Sequence, residues 1–238
     1  MSVETIPIDQ LALTFLPVAV VLALMWRWKM RLGHAIYALT RMLVQLLLIG
    51  YALVYIFDAE SGLVIIAILA IMLLASSWIA LNTIDGAKAA LFPASLVSVL
   101  VGGGLTLLLV TQAVLELDPW YRPSYMIPLA GMIFASSMTG ISLAAERLAA
   151  ELANGSDPDE AKIVAFRAAM IPVTNSLFAV GLISLPGMMT GQILSGVSPF
   201  IAARYQIMVM CMIFGATGMS TACFLHLAHR SQLFRSTT

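Results

Sequence analysis

Polar side chains set into apolar runs carry what chemistry this chain has to offer. Arg41 and Gln45 stand four residues apart. Ser136, Ser137 and Thr139 form one cluster, and Thr174, Asn175 and Ser176 form another. Thr190 and Gln192 follow, and then Arg204, Tyr205 and Gln206. Hydrocarbon makes each such group costly, so their concentration calls for a reason. Together they would supply hydroxyl, amide and cationic groups to a pathway across a bilayer. The alternative is that they tie helices to one another by hydrogen bonds. Among the 15 methionines, Met188 and Met189 and the stretch Met132 to Met138 are placed to border such a pathway. Thioethers suit copper(I) better than iron. Most of the other methionines read as packing or lipid-facing residues.

No catalytic constellation accompanies these groups, and the chain is not expected to be an enzyme. His34, His226 and His229 fall near expected helix ends. His226 and His229, three apart, would make at most a weak metal pair, and an interfacial, solvated role accounts for them better. No metal-ligand set and no cofactor site is expected. Gly102-Gly103-Gly104 lacks the lysine of a phosphate-binding loop and lies in an apolar run, where it reads as a close-packing site. Any ATP used must be bound by another chain.

The elements that position these residues are membrane helices. The chain is 61% hydrophobic and 10% charged, with mean hydropathy +0.99, the composition of an all-α integral membrane protein. Its net charge of zero gives nucleic acid no purchase. Apolar runs at 9–27, 34–57, 62–82, 92–115, 124–150, 171–186 and 199–228 predict about seven spans. Placing the N-terminus outside and the C-terminus in the cytoplasm leaves ten Lys and Arg inside, among them Arg27, Lys88, Arg147, Lys162, Arg167 and Arg235. Only two, Arg122 and Arg204, are then outside. The outer turns, Asp58 to Gly62 and Glu116 to Pro123, are too short for an external domain. Cys211 and Cys223 on one intact helix would be roughly 18 Å apart, too far for a disulfide. The N-terminus has no basic region of the signal-peptide kind. The whole of 1–238 reads as one transmembrane domain.

Two interruptions matter. Pro186 and Pro199 bracket an apolar segment that would make a helix of only roughly 18 Å, too short to cross the bilayer. It is either re-entrant or the kinked end of the sixth helix. Gly187, Gly191 and Ser195 recur every four residues, predicting a bare ridge able to approach another backbone. The other interruption is the polar segment at about 146–170, expected in the cytoplasm. Asn154-Gly155 stops a helix, and Ser156 or Asp157 can cap the next. Pro158 then fits its first turn, with Asp159 and Glu160 near its positive end. The pattern predicts a helix, a break and a short helix.

Several stretches resemble the FetB-type permeases of bacterial iron-export ABC transporters and their plant aluminium-tolerance relatives. They are Arg41-Met-Leu-Val-Gln-Leu-Leu-Leu-Ile-Gly-Tyr51, Ile127-Pro-Leu-Ala-Gly-Met-Ile133, Arg167-Ala-Ala-Met-Ile-Pro172, Val180-Gly-Leu-Ile-Ser-Leu-Pro-Gly-Met-Met-Thr-Gly-Gln192 and Arg204-Tyr-Gln-Ile-Met-Val209. The last two are long and specific. The resemblance implies a homodimeric, multi-pass permease of the inner (plasma) membrane, worked by a separate ATPase. It also implies that Glu151, Gly155, Asp157, Pro158, Asp159, Glu160 and Ala161 belong to a coupling helix that docks on that ATPase. Asn154-Gly155-Ser156 departs from the Leu-Gly-Ala run usual there, and Ala135-Ser136-Ser137 from a Gly-Asn type. The implied cargo is metal, iron above all. The apolar runs hold no carboxylate cluster, so an organic, chelated or sugar-nucleotide cargo stays open. A secondary transporter would call for midplane ionisable residues, which are scarce. A non-transporting scaffold would leave the broken segment unexplained.

Overall fold

The computed structural model describes residues 6–57, 61–84 and 88–230, which fall into two compact units, Met1–Ala59 and Glu60–Thr238. Residues 58–60 of the turn expected from Asp58 to Gly62, Arg235, and the side chains of His229 and Arg230 lie outside the described residues.

In the first unit, α1 (Ile8–Leu13) and α2 (Phe15–Arg27) follow each other through Thr14, whose hydroxyl donates to the Leu11 carbonyl at 2.7 Å. Pro17 explains the interruption, because it has no N–H to offer the Leu13 carbonyl. Lys29, at φ 56°, turns the chain into α3 (Leu32–Phe57). Leu46, Leu47 and Leu48 are consecutive and all exposed. A helix apolar on every side suits lipid rather than water.

The second unit begins with α4 (Gly62–Ile79). A 27-residue span, Lys88–Val114, comes next. It comprises α5 (Lys88–Ser98), a π-turn at Val99–Gly104, α6 (Leu105–Leu108) and a second π-turn at Leu109–Val114. Then follow α7 (Pro123–Ala153), α8 (Pro158–Ala179), α9 (Gly187–Leu194) and α10 (Pro199–Arg230). The core gathers Ile65, Leu91, Val99, Ile133, Ile141 and Phe224, all fully buried. Two glycines of the triplet, Gly102 and Gly103, pack closely, whereas Gly104 meets only a leucine methyl at 3.5 Å. A Cβ on Gly102 would lie 2.4 Å from the backbone nitrogen of Ser220, and one on Gly103 would lie 3.0 Å from Ile133. Hydroxyls then join the helices: Ser220 donates to Ser137 at 3.0 Å, and Ser95 donates to the Ser77 carbonyl at 3.0 Å.

Among the described residues, six helices are long and apolar enough to cross a membrane. The expected span at 171–186 takes a different form. It is the second half of α8, which starts at Pro158, ends at Ala179 and is 22 residues or roughly 33 Å long. That length reaches across a hydrocarbon core of about 30 Å, but Asp159, Glu160, Lys162 and Arg167 make its first half polar. The short helix expected after the break is therefore not separate. It is the opening turns of α8. Ala161, Ala165 and Ala169, each four residues on, pack with Ala144, Leu148 and Leu225 and hold α8 closely against α7 and α10.

The α7–α8 turn is built from local bonds. Gly155, at φ 82°, lets its own N–H reach the Leu152 carbonyl and that of Ser156 reach the Glu151 carbonyl, a Schellman closure. The Asp157 carboxylate caps α8 by accepting from the amides of Asp159 at 3.0 Å and Glu160 at 3.3 Å. Ser156 donates to Glu151 at 2.8 Å, and Glu151 also pairs with Arg147. Replacing Asp157 with alanine is expected to lower stability by about 1 kcal/mol. Faster hydrogen exchange confined to the first turn of α8 would mark the loss.

Between α8 and α10 the chain breaks twice. Gly181, at φ 85°, forms a tight loop in which its amide donates to the Ser184 carbonyl at 3.0 Å. Gly196, at φ 91°, closes α9, with Val197 donating to the Gln192 carbonyl at 3.0 Å. The stretch between the prolines is thus a separate helix of eight residues, roughly 12 Å long, and not a kinked end of its predecessor.

Candidate functional site

A cavity of about 480 Å³ opens between α7, α8, α10 and the start of α9. Met132, Ser136, Thr139 and Gly140 of α7 line it, as do Ala169, Pro172, Val173 and Ser176 of α8. Met188 of α9 and Gln206, Val209, Met210, Ile213 and Thr217 of α10 complete most of the wall. Three of its hydroxyls already donate to their own helices. Ser136 donates to the Ile133 carbonyl at 2.9 Å, Thr139 to Ala135 at 2.9 Å and Ser176 to Pro172 at 3.0 Å. Their protons are spent, and their oxygens remain as acceptors.

Two further groups have no partner. The Gln206 amide oxygen and the Thr217 hydroxyl are buried and find no hydrogen bond among the described residues. Their side chains belong to residues only 6% and 3% exposed. Such groups cost stability unless something binds them. Among the described residues no charged side chain lines the cavity, and no group of three His, Cys, Asp or Glu side chains could grip a metal ion.

A second cavity of about 350 Å³ has Gln192, Tyr205, Met208 and Tyr125 in its wall, and the Gln192 amide oxygen is also unpartnered. Met132 and Met188 border both cavities. A third, also about 350 Å³, is bordered by Met189, Gln206 and Met210.

The residues singled out from the sequence divide accordingly. Ser136, Thr139, Met188 and Gln206 line the first cavity, Gln192 and Tyr205 the second and Met189 the third. Ser137 lines none of these, being fully buried where α7 meets α10 and donating to the Ala216 carbonyl. Thr190 donates to the Pro186 carbonyl at 3.2 Å. Asn175 and Arg204 are exposed and border none of these cavities. Arg41, half-buried, and Gln45, exposed, belong to the first unit. Of the docking residues, Asp157, Asp159, Glu160 and Gly155 are exposed, Glu151 and Pro158 are half-buried, and Ala161 is fully buried against α7.

The expected bare ridge is not one within this chain. Gly187 and Gly191 have open space where a Cβ would stand. Gly191→Leu is therefore expected to leave the folded chain intact, which its melting temperature in detergent would check. Thr217 and Thr221 escaped sequence reasoning. Their four-residue spacing within Gly215-Ala-Thr-Gly-Met-Ser-Thr221 was the available signal.

Comparison with known proteins gives one consistent result. Residues 8–234 match the family described as Uncharacterised protein family (UPF0014). The chain is 34% identical to a UPF0014 membrane protein of Synechocystis, over 85% of this chain and 84% of that one. It is 31% identical to the probable iron export permease protein FetB of Escherichia coli, over 94% and 92%. It is 34% identical to the protein ALUMINUM SENSITIVE 3 of Arabidopsis thaliana, over 86% and 80%. No solved structure matches. With its apolar helices and with relatives of this kind over nearly its whole length, the chain is a multi-pass membrane protein that belongs to the UPF0014 family.

Proposed function

We propose that this chain is the permease subunit of an ABC-type exporter, working as a homodimer in the inner membrane and driven by a separate ATPase subunit. The observation that carries this reading is the path of α8. Its first turn holds the capped, exposed group Asp157, Asp159 and Glu160, and its later turns place Pro172, Val173 and Ser176 in the cavity wall. A push at one end of a continuous, packed helix arrives at the other as movement of that element, with Pro172 a point where α8 can bend. The N-terminus is assigned to the outside and the α7–α8 turn to the cytoplasm, where an ATPase would meet it.

The cargo is metal, as the name of the Escherichia coli relative suggests for that protein, or a related solute. The uncharged wall favours an organic or chelated form over a bare ion, because a full charge there would go unneutralised. The test is reconstitution in vesicles with and without an ATP-binding-cassette partner. Movement of iron, offered free or chelated, should require both chains and ATP. Equal movement by this chain alone would overturn the reading in favour of a secondary transporter.

A further inference from the structure

The cavity wall has a chemical bias that narrows what it can hold. Ser136, Thr139 and Ser176 present oxygens whose protons are already committed. Gln206 adds an unpartnered carbonyl-type oxygen and Thr217 an unpartnered hydroxyl, both deeply buried. All five groups offer acceptor oxygens, and the Gln206 N–H groups and the Thr217 and Ser184 hydroxyls add donors. The remainder is apolar, with the thioethers of Met132, Met188 and Met210. At about 480 Å³ the space is of the size that holds small organic molecules. It is far larger than a coordination site for a single ion.

We infer that this cavity is a binding site for an organic ligand of low net charge that carries N–H or O–H donors, either free or wrapped around a metal ion. Gln206 and Thr217 are its anchoring contacts. The ligand's donors meet these acceptor oxygens, and its apolar body meets the methionines. A charged ligand would lose its hydration without gaining an opposite charge. The inference rests on the permease reading only for the claim that the bound molecule is cargo. Binding itself needs neither ATP nor a partner.

Acetohydroxamic acid is a suitable probe. It is uncharged near neutral pH, and its tris complex with iron(III) is also uncharged while keeping its outward N–H groups. Binding would be measured to the full chain in lipid nanodiscs, for the free acid, the iron complex and aqueous Fe²⁺. The free acid or its complex should bind, and Gln206→Leu and Thr217→Val should each weaken that binding about tenfold. Both variants should melt no lower than the parent, since each replaces an unpartnered buried polar group with an apolar one of similar shape. This separates lost contacts from lost folding. Aqueous Fe²⁺ binding more tightly than either uncharged form would overturn the inference. So would binding of neither form, or binding indifferent to both substitutions. Binding as described without ATP-driven movement in two-chain vesicles would leave the site standing and remove the exporter reading. ATP-driven movement unaffected by Gln206→Leu would do the reverse.

Discussion

Gly102→Ala is expected to lower stability by about 3 kcal/mol or more, at or beyond the upper end of the usual range for overpacking. The added carbon would sit 2.4 Å from the Ser220 backbone nitrogen and 2.8 Å from its Cα. Side chains can rotate away from such a contact, but backbone cannot without moving α10. Two comparisons show that the position, and not glycine as such, sets the cost. Gly140→Ala would meet Thr221 Oγ1 at 2.6 Å and Thr217 Cγ2 at 2.7 Å, which are rotatable side-chain atoms, and should cost less. Gly104→Ala would find only a leucine methyl at 3.5 Å and should change stability by no more than about 1 kcal/mol. Thermal unfolding of the three variants in one detergent would rank them. Equal melting temperatures would remove the close crossing of Gly102 by α10.

The second large effect is functional. Pro158→Gly combined with Glu160→Arg should reduce ATP-dependent transport at least about tenfold while leaving the chain folded. Proline fixes the entry of α8, and glycine would loosen it. Arginine would put positive charge at the positive end of the helix and reverse the charge offered to a docking partner. The cost to folding is limited to a local cap effect of about 1 kcal/mol. Co-purification with the ATPase should weaken in parallel, whereas acetohydroxamate binding in the cavity should not change. Unimpaired transport would separate the α7–α8 turn from coupling.

What could be read from the sequence followed from how local its cause was. The α7–α8 turn was legible because Gly155, Asp157 and Pro158 act within a few residues of themselves. The helix between Pro186 and Pro199 was legible for the same reason, since proline removes a donor wherever it stands. The run of α8 was not, because Lys162 and Arg167 lowered its hydropathy and concealed the alanine spacing that continues it. The ridge at Gly187 and Gly191 shows the opposite failure. A four-residue period proves that residues share a face, but it does not say what that face meets. Asn175 and Ser176 are neighbours of similar polarity, and only the rotation of α8 against α7 and α10 brings Ser176 into the cavity wall.

Met132 and Met188 each belong to the walls of two chambers. A divider made of unbranched side chains yields by bond rotation, which is faster than the microsecond-to-millisecond shifts of helices. In the exporter reading proposed above, the slow step for a bulky cargo would then be a shift of α8 or α9, with the two thioethers acting as a soft gasket between the chambers.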